Sequence, residues 1–295
     1  VALALPFGLP KMIVSTIAFS SLIPPDRLAP DVMMSLWTAG LYGVNPYCKT
    51  ALNQATHAVL GAVNAKVEPK TKPIVAITSL GTSSLKYIKI LYPALQARGF
   101  DVAIFHATGM GGRAMEALNK SDGFAAILDF ALVEVSNKVF GSPVMSGDDR
   151  LQGFDGDLTP RIIAAGGVSL VDFQAWGSPP SLFLNREVHP HNRLIASYAL
   201  TAEEREQAAQ LIGGKINISS SPKTVILTDG IDEWDKPGGP FHDPAGLAGF
   251  NDVLAKTLDA HVSQISINAH INDEAFSDTV LCVFDDWIAD GTIAV

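Results

Sequence analysis

Short apolar runs rich in β-branched residues recur along the chain, and a helical pattern follows most of them. Residues 73–79 (PIVAITS), 101–107 (DVAIFHA), 124–130 (FAAILDF), 161–165 (RIIAA), 223–229 (KTVILTD) and 262–268 (VSQISIN) predict strands. The runs are nearly continuous rather than alternating, the pattern of strands buried on both faces in a parallel sheet. Helices are predicted over 83–98, closed by Gly99, over 111–119 from a glycine-rich turn, and over 132–139. Three more cover 201–216, opened by a Thr201/Glu204 capping box, 244–258, with Asp243 as N-cap and Pro244 at the first position, and 273–290. This alternation predicts a doubly wound, Rossmann-like α/β domain over residues 74–295, its six strands in one parallel sheet.

Residues 67–73 (VEPKTKP) are polar, carry two prolines and read as a linker. Before them come a strand at 11–18, a proline-rich loop at 23–30 and a helix at 46–65. One strand and one helix are too little for a domain, so residues 1–66 read as the C-terminal remnant of another α/β domain. Such a remnant exposes apolar side chains, with Leu36, Trp37, Leu41, Tyr42 and Leu60 as contact residues. A homo-oligomer, or a partner chain supplying the missing half, is expected to cover them.

Composition narrows the function classes. With 47 % hydrophobic residues among 295 the chain is no disordered segment. A net charge of −9 without a basic run argues against nucleic acid as the partner. No run of about 18 apolar residues predicts a membrane span, and the opening VALALPFGLP lacks the basic start of a signal peptide. A cytoplasmic protein is expected, with Cys48 and Cys282 as reduced, buried thiols; no CxxC is present for zinc or redox work.

Ligands of open α/β sheets bind beyond the carboxyl ends of the strands, so the residues after each strand matter most. The second strand leads into His106 and the turn Thr108–Arg113 (TGMGGR), where Thr108, Gly109, Gly111, Gly112 and Arg113 are candidates to cradle an anion. Glycines let the backbone approach a charge, and a helix N-terminus favours a negative one. The turn is neither a Walker loop nor a strict GxGxxG. Gly166, Gly167 and Asp172 come after the fourth strand, Asp229 ends the fifth, and His270 and Asn272 come after the sixth. His106, His191 and His270 are the candidate acid/base set, with Asp172, Asp229 and Asn272 to orient them or bind a ligand hydroxyl. No metal is expected: the HPH at 189–191 points alternate residues apart and no HExxH exists. His57 and His261 read as structural. The loop at 235–244 (DKPGGPFHDP) reads as a lid over the crevice, and the absence of GxSxG excludes an α/β-hydrolase elbow.

The stretches ALPFGLPKMIVSTIA, FHATGMGGRAME, PGGPFHDP and NAHINDEAF resemble an uncharacterised two-domain family of bacteria, fungi and plants that includes the tomato inhibitor of tobamovirus RNA replication. The resemblance runs along essentially the whole chain. It implies two Rossmann-like domains, ATP as the ligand, and a chain lacking the family's first hundred or so residues. Phe19, Ser20 and Ser21 stand where the family has a small-residue turn, and of its threonine-rich element after the third strand only Glu134 is kept. Gly167, Asp172 and Phe173 hold roughly corresponding places in a glycine-rich stretch. Three functions are open: a nucleotide- or small-anion-binding protein with its ligand at the carboxyl edge; an enzyme acting on a small organic acid or phosphate by histidine chemistry; and a non-catalytic interaction protein. Fold alone does not choose among them.

Overall fold

The computed structural model describes residues 2–18, 29–40, 43–66 and 68–294, without the side chains of Met34, Thr82 and Ser83. Phe19, Ser20, Ser21, most of the proline-rich loop, Leu41 and Tyr42 lie outside the described residues. The chain divides into two compact units, Val1–Thr71 and Lys72–Val295.

In the first unit, strand β1 (Lys11–Ser15) pairs in parallel with β2 (Val32–Trp37), and helix α1 (Pro46–Val63) comes next. Periodicity predicts one strand here; β2 (VMMSLW) escapes it because it is short and lies close behind the prolines. Asn45 caps α1 by accepting the Cys48 N–H, and Pro46 takes the first helical position. Trp37 and Leu60 are more than half exposed within this structure, whereas Leu36 is half-buried.

The second unit carries the expected sheet. Strands β3 (Ile74–Ser79), β4 (Asp101–His106), β5 (Ala126–Asp129), β6 (Arg161–Ala164), β10 (Lys223–Leu227) and β11 (Ser263–Ser266) are all parallel, in the order β4-β3-β5-β6-β10-β11. The chain starts at β3, steps to one edge, then returns and proceeds to the other, the doubly wound pattern. Burial depends on position in the sheet. Strands β5, β6 and β10 are wholly buried, while the edge strands β4 and β11 alternate or open to solvent.

Because successive strand residues face opposite ways, each strand serves two cores. Val75 and Ile77 meet Leu91 and Leu95 of α2 (Leu85–Ala97) and Phe276, Val280 and Phe284 of α7 (Glu274–Ala289). Edge-on rings, with Tyr87–Phe130 at 5.5 Å and Phe130–Phe276 at 4.9 Å, fill that layer. On the other face Ile163, Val225 and Leu227 pack against α4 (Val133–Val139), α5 (Ala202–Ile216) and α6 (Pro244–Thr257). Met115 of α3 (Met110–Asp122) covers Ala76 and Ile127 there. The capping box at Thr201/Glu204 and the Asp243 cap on Gly246 form as the sequence implies. Cys48 is buried, but Cys282 is exposed: on α7 its neighbours Val280, Val283 and Phe284 take the core face and leave it to solvent.

An antiparallel three-stranded sheet, β7 (Leu170–Gln174), β9 (Ile195–Ala199) and β8 (Val188–Pro190), interrupts the β6-to-β10 crossover. It has its own core of Val171, Phe173, Phe183 and Tyr198. Periodicity missed it because the strands are short and separated by a polar turn-rich stretch.

At the amino end of β10, Lys223 donates to the carbonyls of Ser219 and Ser221. Lost hydration, with the Arg161 guanidinium nearby, pushes its ammonium from the ordinary 10.5 down to about 8. The folded state therefore gives up this proton before the unfolded chain does, and stability gains from Lys223 as pH rises from about 8 toward 10.5. In urea unfolding at pH 7 and pH 9.5, wild type is expected to gain on Lys223→Met at the higher pH. An unchanged gap between the two proteins would contradict this.

Candidate functional site

The glycine turn is built around one of the protein's own carboxylates. The Gly109 N–H donates to Glu134 Oε2 at 2.6 Å, and Arg150 Nε donates to Glu134 Oε1 at 2.7 Å. A Cβ on Gly112 would lie 1.6 Å from Glu134 Oε1, and one on Gly111 would lie 1.9 Å from the His106 carbonyl oxygen. Two of the glycines are thus explained by close approach of helix α3 to β4 and α4. The anion this turn faces is internal.

Glu134 belongs to a buried charge network under α3. Arg150 spans both oxygens of Asp129, the last residue of β5, which Thr78 also bonds at 2.9 Å. Arg161 holds both oxygens of Glu116 at 2.9 Å and reaches Asp157 at 3.0 Å. All six charged groups are at least 95 % buried. Burial pushes the Glu134 carboxyl above the usual range. The Arg161 and Arg150 guanidiniums overcome the same burial at Glu116 and hold its carboxyl below that range.

A cavity of about 430 Å³ opens at the carboxyl ends of β10 and β11. Asp229, Asn268, His270, Asn272 and Asp273 come from the strand ends, and Lys86 from the first turn of α2. Glu233, Asp235, Lys236, Pro237 and His242 come from the loop after β10. That loop has one allowed path. A Cβ on Gly239 would sit 2.0 Å from the Trp234 carbonyl oxygen. The buried Arg205 guanidinium donates to the carbonyls of Phe241 and Asp243, and Asp243 then caps α6. The segment expected as a lid is a clamped wall.

Three expected site residues, Asp229, His270 and Asn272, meet in this cavity. The rest do not line it. His106 is exposed at the end of β4, near Gly81. His191 and His189 both pack on Trp234, at 4.9 and 5.0 Å between ring centroids, rather than pointing apart. Asp172 is bonded by Ser197 within the antiparallel sheet, and burial raises its carboxyl above the ordinary range. Gly166 and Gly167 are buried at a tight turn, where a Cβ on Gly166 would meet the Phe130 carbonyl oxygen at 2.0 Å. Arg113 is 9 % exposed and runs along Gly147. Thr108 closes the turn by donating its N–H to the His106 carbonyl.

His270 itself is corrected from a free acid/base to a structural turn. Its Nδ1 accepts the Asn272 N–H at 3.0 Å, so the proton sits on Nε2, which donates to the Asp232 carbonyl at 2.8 Å. Both ring nitrogens are spent. His242 lies in the 235–244 loop, where the proline–glycine pattern announces a turn and nothing in the sequence marks the histidine as a site residue. Its Nδ1 lies 3.5 Å from Asp235 Oδ1. Lys86 carries no local signal in the sequence, whereas Asn268 stands at the end of the sixth predicted strand and Lys236 in the proline–glycine loop. Among the described residues no group of three or more His, Cys, Asp or Glu is placed to hold a metal ion, and no helix is long and apolar enough to cross a membrane.

Comparison with known proteins matches residues 72–288 to the C-terminal domain of an uncharacterised protein family, UPF0261, and residues 1–68 to that family's N-terminal domain. The match over 1–68 assigns these residues to the family's N-terminal domain. A UPF0261 protein of Brucella suis is 46 % identical over 99 % of this chain and 71 % of its own length. One of Rhizobium meliloti is 30 % identical over 96 % of this chain and 71 % of its own. The ToMV resistance protein Tm-1 of Solanum lycopersicum is 28 % identical over 95 % of this chain and 38 % of its length. A solved structure of tomato methylketone synthase I covers 75 % of this chain at 12 % identity and a TM-score of 0.34, a likeness too weak to argue from.

Proposed function

The chain belongs to UPF0261, and on that premise we propose that its second unit binds a small anionic ligand of the nucleotide class in the cleft at the ends of β10 and β11. The observation that carries this reading is the cavity itself. It lies at the carboxyl edge, its 430 Å³ falls in the range of small-molecule sites, and separate strand ends deliver polar groups to it. Lys86 and Lys236 supply cations for phosphate oxygens, and Asp229 an exposed carboxylate for ribose hydroxyls. Lys236 meets Glu233 only at 3.7 Å with both side chains about half exposed, a weak pair that yields to a phosphate. ATP is the nucleotide the family resemblance points to.

Titration calorimetry with ATP tests the reading. Lys86→Ala combined with Lys236→Ala is expected to weaken binding by about 1.5–3 kcal/mol, roughly 10- to 100-fold, through lost charge-assisted hydrogen bonds. Arg113→Ala, outside the cavity lining, leaves affinity within about twofold. No ATP binding at millimolar concentration, or a double variant that binds like wild type, would sink it.

A further inference from the structure

We propose that this cleft is a catalytic site in which His242, its ring held by Asp235, takes a proton from a hydroxyl or a water beside the bound anion. The proposal rests on the reading of the cleft as an anion site. It starts from a buried oxygen. Asp235 is 2 % exposed, and its Oδ1 has no hydrogen-bond partner. A buried carboxylate oxygen left unbonded costs free energy, so its position calls for a reason. The group it faces is the Nδ1 of His242 at 3.5 Å. That is long for a hydrogen bond, as pairs of base and orienting carboxylate commonly are before substrate arrives.

Both members are delivered by fixed backbone. Asp235 donates its N–H to Asp232 Oδ1 at 3.0 Å and accepts the Ile231 N–H on Oδ2 at 3.3 Å. Asp232 is itself buried and bonded by Ser169. His242 stands between the two carbonyls that Arg205 holds. Such restraint is what a proton-transfer group requires.

The pairing also selects the tautomer. A carboxylate accepts only, so it draws the ring proton to Nδ1 and leaves the Nε2 lone pair as a base. Among the described residues nothing hydrogen-bonds that nitrogen, and the ring lines the cavity beside Lys86 and Lys236. His270, in the same cavity, shows the contrast of an imidazole with both nitrogens committed. In the step itself the O–H bond of the hydroxyl or water breaks. The electron pair stays on oxygen and the proton goes to Nε2. The freed oxygen bonds the acyl or phosphoryl centre of the bound substrate. That centre's bond to its leaving oxygen breaks, with the electron pair going to the oxygen. The imidazolium, facing the Asp235 carboxylate, hands that oxygen the proton.

The test uses p-nitrophenyl acetate as probe and inorganic phosphate as competitor. In its hydrolysis a water loses its proton to His242 and bonds the acyl carbon. The bond from that carbon to the nitrophenyl oxygen breaks, and the imidazolium returns its proton to the departing p-nitrophenolate or to solvent. Wild type is expected to show saturable hydrolysis that phosphate inhibits. His242→Gln, at an exposed position, is expected to lose about 100-fold. Asp235→Asn is expected to lower kcat about tenfold with KM unchanged, and nitrogen-15 spectra to report Nδ1–H in wild type but not in this variant. Should Asp235→Asn fail to fold, the His242 variant and the wild-type spectrum still decide. Hydrolysis no faster than free imidazole, activity unchanged in His242→Gln, or an Nε2–H ring in wild type would each overturn the proposal. Hydrolysis that depends on His242 but ignores phosphate would instead overturn the anion reading and leave the dyad standing.

Discussion

Replacing Arg150 with Met is expected to cost about 3–5 kcal/mol of folding stability, the loss seen when one partner of a buried ion pair is removed. Arg150 has no exposed surface, and its guanidinium serves Asp129, Glu134 and, at 3.4 Å, Glu116. Without it two carboxylates face each other under α3 with one remaining guanidinium, that of Arg161, already bidentate on Glu116. The deficit should narrow as pH falls from 7 toward 5. An orphaned carboxyl has its folded-state pKa raised, so its contribution is favourable below the unfolded value and is lost as pH rises through the folded one. Glu134, raised by burial even with Arg150 in place, should protonate first. Glu134→Gln in the Arg150→Met background is therefore expected to recover part of the loss, and urea unfolding of the double-mutant cycle measures it. A deficit under about 1 kcal/mol, or strict additivity, would show the network to be energetically slack.

That network marks a limit of sequence reading. The parallel sheet was legible because strands buried on both faces must be continuously apolar, and residues 74–79, 126–129, 161–164 and 223–227 are nearly so. The capped starts of α5 and α6 were legible because Thr201, Glu204, Asp243 and Pro244 act on their own neighbours. Arg150 lies in an irregular stretch, and nothing near it in sequence announces that it is buried against residues on β5, α3 and α4. The site divided the same way. Asp229, His270 and Asn272 stand directly behind the carboxyl ends of strands, a placement that chain position alone reveals. Lys86 comes from a different element, and the pairing of His242 with Asp235 depends on how the loop folds back across Gly239. The glycine turn shows that one motif has two physical uses. Glycines admit an anion, and the anion admitted here includes Glu134, from α4.

Gly111→Ala should separate those two uses. The residue is helical, so alanine carries no backbone strain and on propensity alone would stabilise α3 by about 1 kcal/mol. The space forbids it: the new methyl would lie 1.9 Å from the His106 carbonyl oxygen and 2.7 Å from its carbon. Those are backbone atoms of a strand paired with β3, so no side-chain rotation relieves the overlap, and α3 must lift from β4. A loss of about 3 kcal/mol is expected, at the upper end for overpacking. Gly214→Ala supplies the control. Gly214 is helical within α5 and nothing lies within 4 Å of its Cβ position, so neither space nor backbone strain opposes alanine there, and propensity favours it by about 1 kcal/mol. Equilibrium unfolding without any ligand should rank Gly111→Ala well below Gly214→Ala in stability. If Gly111→Ala is instead as stable as wild type and loses only ATP affinity, the turn is a ligand cradle after all, and the close approach of α3 to β4 is not what requires glycine there.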